Sequence, residues 1–353
     1  MLRTKHTTRS GFTLVELMIA AATTVLIMSI LSICFQTAMK AMSSMRAQGD
    51  AADQLRSLSA VMKRDFNADR HLESEGSSQV VNRGRRLSDY RFQSGAASPG
   101  TGFFYLESPP STYEGYDGVF DSYRNAGTRV WFTSVLPGGN EGDLFTANVG
   151  GTVYSSEAAE VAYFLLPAGQ TSGSPSLPLY NLYRRQRLVA LDSGKQSLFP
   201  MDPEVISLAQ PGAPPTWYVN TMSSIAAGGR NASIFTPLSG SRTGDDIILS
   251  NVISFEVKPT WEPGAITPTP PRPMGNSTVA VDTSDTYNAL TNKNSSDWPF
   301  DSLSAFPLAG YQFDSLFTNP NHPRVRVNAL QLRIRIYDSK VKTARQISMI
   351  QDL

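Results

Sequence analysis

An apolar run of nineteen residues without a charge, Leu17–Phe35, constrains this chain more than any other feature. As a helix it spans roughly 28 Å, which is enough to cross the hydrocarbon core of a bilayer. The basic residues Arg3, Lys5 and Arg9 precede it. A basic flank of this kind keeps the N-terminus in the cytoplasm and sends the following chain across the membrane. The sequence therefore predicts a single-pass protein whose body lies outside the cytoplasm.

Three interpretations of this segment are open. The first is a secretory signal peptide, which has a shorter apolar region, although the small residues Ala41 and Ser43 resemble a cleavage site. The second is a plain membrane anchor. Neither explains why a carboxylate, Glu16, stands at the very start of the apolar run, because a charge at membrane depth is costly unless it is paired.

The third interpretation comes from the segment Gly11–Glu16, which reads Gly-Phe-Thr-Leu-Val-Glu. Together with the basic leader and the apolar helix, it resembles the processing signature of type IV prepilins and of the pseudopilins of type II secretion. The resemblance implies that a membrane-embedded prepilin peptidase removes a leader, 1–11, by cutting between Gly11 and Phe12. It also implies that Phe12 is then N-methylated. The protein would lie in a bacterial inner membrane with its body in the periplasm, and in a pilus or pseudopilus after assembly.

Glu16 has a physical role in this interpretation. After cleavage Phe12 carries a positive α-amine, methylation leaves the charge in place, and Glu16 lies one helical turn from that amine. In the family this carboxylate pairs with the N-terminal amine of a neighbouring subunit, so the resemblance implies that Glu16 acts in assembly with other pilin or pseudopilin subunits. The alternative is that Glu16 only extends to the cytoplasmic headgroups.

The membrane helix, 12–39, is predicted to continue as an amphipathic extension, 40–70. No proline occurs between Phe12 and Phe66, and Gly49 is a mild break that costs about 1 kcal/mol relative to alanine. Apolar residues recur at spacings of three and four, which is typical of a helix with one apolar face. These residues are Met42, Met45, Ala52, Leu55, Leu58, Val61, Met62 and Phe66. We expect this face to pack on a β-sheet.

The remainder, 71–353, is predicted to be a β-rich globular body, because apolar segments alternate with turn clusters. The clearest predicted strands are Arg129–Leu136, Glu160–Leu166, Leu179–Leu191, Ile247–Lys258, Val325–Tyr337 and Arg345–Ile350, the last two as a hairpin. Long loops rich in Pro, Gly or Asn separate them at Pro167–Pro178, Gln210–Thr216, Pro259–Gly275 and Ser284–Pro323. The expected fold class is α+β, with a long N-terminal helix packed on an antiparallel sheet with long loops, as in pilins.

Short segments of the body narrow the resemblance. Met62–Phe66, Val161–Phe164, Leu182–Arg185 and Asn251–Phe255 resemble J-type minor pseudopilins and W-type minor pilins. The implied function is non-catalytic, as a tip or priming subunit of a type II secretion pseudopilus or of a type IV pilus. Another filament class, a surface pilus or a DNA-uptake pilus whose body binds a surface or DNA, is a further alternative. The balanced net charge of +1 argues against nucleic-acid binding driven by excess positive charge.

Catalytic patterns are sparse. His6 lies in the leader, which leaves His71 and His322, and no nucleophile elbow, dinucleotide fingerprint or phosphate loop is present. The sequence therefore predicts that the protein is not an enzyme. The alternative from another functional class is a membrane-anchored enzyme or a ligand- or carbohydrate-binding domain that is exported through a prepilin-like leader.

No cofactor is expected, and calcium is the metal to consider. Paired aspartates in turns offer the oxygen ligands that calcium prefers, but they are also ordinary turn residues. The pairs are Asp117 with Asp121, Asp245 with Asp246, Asp282 with Asp285, and Asp297 with Asp301. The single cysteine, Cys34, lies inside the apolar run, so no intrachain disulfide can form.

Overall fold

A computed structural model of the protein describes residues 13–69, 71–72, 84–85, 102–107, 112–116, 121–172, 176–209, 217–226, 229–261, 300–301, 327–339 and 342–352. These residues form two compact units, one up to Asp53 and one from Gln54 onward. A single helix, α1, runs from Leu14 to Asn67. The only other α-helix in the described residues is the short α2, Met222–Ala226.

The described strands follow in chain order. They are β1 (His71–Leu72), β2 (Gly84–Arg85), β3 (Phe104–Glu107), β4 (Thr112–Tyr116), β5 (Asp121–Arg124), β6 (Arg129–Val135), β7 (Phe145–Val149), β8 (Thr152–Ser156), β9 (Ala158–Thr171), β10 (Pro178–Val189), β11 (Leu208–Ala209), β12 (Tyr218–Val219), β13 (Ile247–Trp261), β14 (Phe300–Asp301), β15 (Val327–Asp338) and β16 (Thr343–Asp352). Each of the six predicted strand segments overlaps one of these strands, and β15 and β16 form the predicted hairpin.

Eight of these strands form one antiparallel sheet in the order β14-β3-β6-β9-β10-β13-β15-β16. The long strands β9 and β10 lie at its centre and pair over most of their length. The first eight residues of β9 are all buried, which means that both faces of the sheet are covered there. The expected class, a long N-terminal helix with a large antiparallel sheet, is therefore confirmed at the level of α+β.

Pairs of adjacent aromatic residues build one core on each face of the sheet, because successive side chains in a strand point to opposite faces. Phe132 and Tyr163 lie on the face that carries the end of α1, where Phe66 is 5.1 Å from Phe132 between ring centroids. Their neighbours Trp131 and Phe164 lie on the other face. There Phe235, from the segment after α2, packs edge-on against both at 5.5 and 5.6 Å.

The apolar stripe of α1 is shorter than predicted and is partly made of other residues. In the second unit, Leu55, Leu58, Met62 and Phe66 are buried. Val61, which was predicted to belong to the stripe, is 38% exposed because it lies at the flank of this buried face and not at its centre.

The prediction is also wrong for the N-terminal part of the stripe. Met42 and Met45 are exposed, and Ala51 is buried in place of the exposed Ala52. The spacing of apolar residues finds a face, but it does not fix which residue of an adjacent pair is covered.

Candidate functional site

The start of α1 is organised by a reciprocal pair, Thr13 and Glu16. The backbone N–H and the hydroxyl of Thr13 donate to Oε2 of Glu16 at 2.9 and 3.0 Å. In return, the backbone N–H of Glu16 donates to the Thr13 hydroxyl oxygen at 3.3 Å. This arrangement is a capping box, which satisfies backbone donors that have no partner at a helix start.

From the sequence, Glu16 was expected to pair with an amine or to extend to the cytoplasmic headgroups, and its role as a helix cap was missed. The signal was present in the sequence, because Thr13-x-x-Glu16 has the spacing of a capping box. Both hydrogen bonds that the Glu16 carboxylate accepts from Thr13 are made by Oε2, so Oε1 can still bind a cation. Gly11 and Phe12, where cleavage and methylation are predicted, lie outside the described residues.

After Glu16, α1 presents an apolar surface on all sides. Every large apolar side chain from Leu14 to Met45 is more than half exposed. Glu16 is the only charged residue between Thr13 and Met39. By length and composition α1 can cross a membrane. A helix that is apolar all round is suited to lipid or to a bundle of other helices and not to water.

The three threonine side chains of this apolar stretch are satisfied within the helix. The hydroxyls of Thr23, Thr24 and Thr37 donate to backbone carbonyls one turn earlier at 2.7 to 3.0 Å. A hydroxyl bonded in this way costs little in an apolar environment, since it has a partner there. The segment therefore places only the Glu16 carboxylate in apolar surroundings without a charged partner in its own helix.

In the second unit, the last turn of α1 is joined to the sheet by a buried ion pair. The Asp65 side chain is fully shielded from solvent and accepts from Nε and Nη2 of Arg184 at 2.6 and 2.9 Å. The hydroxyl of Tyr163 donates to Asp65 at 2.5 Å. Burial, followed by the charge of Asp65, raises the pKa of Tyr163 well above its usual value, so the phenol keeps the proton that it donates.

This cluster brings together three of the segments that carry the narrower resemblance. Asp65 lies in Met62–Phe66, Tyr163 in Val161–Phe164 and Arg184 in Leu182–Arg185. Their contact was not predicted, because these residues are about a hundred positions apart in the chain. The charged residues inside these otherwise apolar segments were the only sign in the sequence of a buried ion pair.

On the opposite face of the sheet, β9 contributes a buried carboxylate, Glu160. The indole N–H of Trp131 donates to it at 2.7 Å, and Arg187 faces it across the strand pair. Burial raises the pKa of Glu160, although Arg187, Ser207 and Trp131 act in the opposite direction. Glu160, Trp131 and Arg187 are all buried among packed side chains.

A pH dependence of stability follows from Glu160. Because its pKa is raised in the folded state, folding is stabilised below the unfolded value near 4.5, and this contribution is lost as the pH rises through the folded value. Between these two pKa values the melting temperature of the wild type should fall as the pH rises. We expect this fall to be smaller in Glu160→Gln, which has no carboxyl group to titrate. Tryptophan fluorescence melts at a series of pH values measure it.

The matched control is Glu107→Gln, which changes a partly exposed carboxylate on β3. It should keep the fall, since Glu160 is unchanged. Parallel curves for the wild type and Glu160→Gln would show that Glu160 is not the group that titrates.

The calcium candidates are only partly described. Asp246 is buried, and its Oδ2 accepts from Leu238 N–H at 3.0 Å and from Arg185 at 3.4 Å, so it is already used in an ion pair. Among the residues that the structure describes, no group of three potential metal ligands occurs. Asp117, Asp282, Asp285 and Asp297 lie outside the described residues, and only the backbone of Asp121 and Asp301 is described.

No protein-family model, no curated protein and no solved structure matches this chain.

Proposed function

We propose that the chain is a non-catalytic minor subunit of a type IV filament, either a type II secretion pseudopilus or a type IV pilus. The observation that carries this proposal is the sequence motif Gly11–Glu16, which directly precedes and begins a helix that is apolar on all sides. A helix of this kind needs lipid before assembly and other helices afterwards. Its single carboxylate needs a cation in the same apolar environment.

The N-terminal helix serves as the assembly element in this function. Prepilin peptidase removes residues 1–11 and Phe12 becomes the methylated N-terminus. The Glu16 carboxylate then pairs with the amine of a neighbouring subunit. Thr13 already holds one carboxylate oxygen, which orients the side chain at the helix start. The subunit moves in this way from the bacterial inner membrane into the filament.

The body supports a place at the tip or in the priming complex. The second unit contains a two-sided sheet of eight strands with covering elements on both faces. A body of this size on every subunit would crowd a uniform helical shaft. Its abundance in purified filaments tests the point, because copies along the whole filament at the level of a major subunit would exclude a tip role.

The mature N-terminus is the direct test of the proposal. In cells with prepilin peptidase we expect mass spectrometry of the membrane-associated protein to find a peptide that starts at N-methylated Phe12. In cells without the peptidase the intact leader should be found. A leader retained in both strains would leave only a membrane anchor, and cleavage near Ser43 would indicate a secreted protein; either result would reject the filament proposal.

A further inference from the structure

Two cations follow the apolar stretch of α1. Lys40 and Arg46 are the first charged residues after Glu16, and the first carboxylate beyond them is Asp50. The Lys40 and Arg46 side chains are exposed, and within the described residues neither of them makes an ion pair. The helix therefore presents positive charge directly after a run that is long enough to cross a bilayer.

The distance between the charges matches the thickness of a bilayer. Lys40 is 24 positions after Glu16, which corresponds to roughly 36 Å along a helix. The hydrocarbon core is about 30 Å thick, and the headgroup regions extend the bilayer to about 40–45 Å. If Glu16 lies at one boundary of the hydrocarbon, Lys40 therefore lies among the headgroups at the other boundary.

Arg46 can reach the same depth because of the direction of its side chain. Side chains of a helix point toward its N-terminus, which here is the side of the apolar run. The Cα of Arg46 lies about 9 Å beyond that of Lys40, and the long arginine side chain extends back over much of this distance. Asp50 lies about 15 Å beyond Lys40 and has a short side chain, so it stays in water. Of these three residues, only the two cations meet the headgroups.

The residues beside the cations suit a membrane boundary. Met39, Met42 and Met45 are more than half exposed and recur at every third position of α1. Methionine is apolar and flexible and can cover acyl chains, whereas lysine and arginine hold their charged ends at the headgroups. Tryptophan and tyrosine, which commonly anchor membrane helices at this depth, do not occur before Tyr90. Anchoring at this boundary therefore depends on the two cations.

We propose that the segment from Met39 to Arg46 binds anionic phospholipids of the outer leaflet, where the apolar stretch ends, with one headgroup phosphate on Lys40 and another on Arg46. This step rests on the membrane insertion in the proposed function and does not depend on assembly into a filament. Anionic lipids make the membrane surface negative, and this potential attracts cations next to a membrane helix. A zwitterionic lipid offers a phosphate but no net charge, so the binding is selective for anionic lipid.

Lysine labelling of the full chain in nanodiscs tests the proposal, because both sides of the bilayer are open to the reagent. One kind of nanodisc contains phosphatidylglycerol, which is anionic, and the other contains phosphatidylcholine, which is zwitterionic. A water-soluble acylating reagent modifies each lysine at a rate that mass spectrometry reports separately.

Two lysines of the same helix give the signal and its internal control. We expect Lys40 to react about fivefold more slowly in phosphatidylglycerol than in phosphatidylcholine, since a bound phosphate shields its amine. Lys63, an exposed lysine later in α1, should change by less than about twofold, because 0.1 M salt screens the membrane charge within about 10 Å.

Two double variants with the same change of charge locate the binding. Native mass spectrometry counts the phosphatidylglycerol molecules that the protein retains after release from the nanodisc. Lys40→Gln with Arg46→Gln should retain about two fewer than the wild type, one for each cation. Arg56→Gln with Lys63→Gln, which changes two exposed cations of α1 in the second unit, should retain as many as the wild type.

Several outcomes would overturn the proposal. Equal labelling of Lys40 in the two kinds of nanodisc, or equal lipid retention by the two double variants, would leave the cations to an acidic protein surface and reject a lipid partner. Protection of Lys63 to the same degree as Lys40 would indicate a general effect of surface charge and reject a local site. None of these results bears on the mature N-terminus, so the filament proposal is tested separately. A chain that does not enter nanodiscs would reject both.

Discussion

Glu16→Ala is expected to remove the protein from filaments, with a loss of about tenfold or more, while the protein still accumulates in the membrane. The reason is that the neighbouring amine would lose its anion in an apolar environment, where an unpaired charge is costly. The body should remain folded, since Glu16 lies in the first unit and the sheet is in the second. Immunoblots of sheared filaments and of membranes measure the two fractions.

The capping box makes this experiment ambiguous unless the charge is separated from the cap. Glu16→Gln supplies the separation, because glutamine can complete a capping box but carries no charge. If pairing with an amine is the function, Glu16→Gln fails in assembly as Glu16→Ala does. Thr13→Ala, which loses the cap and keeps the carboxylate, should assemble better than either. Normal assembly of Glu16→Gln would mean that Glu16 serves only as a helix cap.

Asp65→Ala is expected to have the largest effect on stability, about 3–5 kcal/mol of the free energy of unfolding. The substitution leaves the guanidinium of Arg184 without its carboxylate and the hydroxyl of Tyr163 without its acceptor. Domains are typically stable by only about 5–15 kcal/mol, so this loss is a large share of the total. Denaturant unfolding of the full chain in detergent, followed by tryptophan fluorescence, measures it.

Three further variants divide this effect into its parts. Tyr163→Phe removes one hydrogen bond and keeps the ring, so we expect a cost of about 1 kcal/mol. Glu107→Ala breaks a partly exposed pair with Arg129 at 3.7 Å and should cost less than about 1 kcal/mol. The double variant Asp65→Ala with Arg184→Met should recover part of the loss, since no buried charge remains unpaired. Equal stability of Asp65→Ala and Tyr163→Phe would show that the ion pair contributes nothing.

The helix and the main strands could be predicted from sequence because their signals are local. An uncharged apolar run, a three-and-four spacing and short apolar segments between turns each report on neighbouring residues. The extent of the buried stripe on α1 could not be predicted in this way, since burial of Ala51 in place of Ala52 depends on how the helix is turned. The spacing of apolar residues gives the rotation of the helix about its own axis only to within about one residue.

The ion pair between Asp65 and Arg184 and the burial of Glu160 were not predicted for a related reason. Each depends on residues that the sheet brings together from distant parts of the chain. The motif Gly11–Glu16 is different, because its residues are contiguous in the sequence. The candidate site could therefore be predicted from the sequence, and its role stays a prediction, whereas the contacts that hold the body together could not be predicted.

The seam between α1 and β16 has a consequence for biosynthesis. Contacts there join residues 290 and 284 positions apart, Ser59 with Met349 and Asn67 with Gln351. The covering of the helix face cannot be completed until β16 has been synthesised. Long-range pairing of this kind is slow to form and leaves apolar surface open meanwhile. If the body is exported as proposed above, we expect the nascent chain to cross the membrane unfolded and this helix face to stay uncovered until β16 arrives.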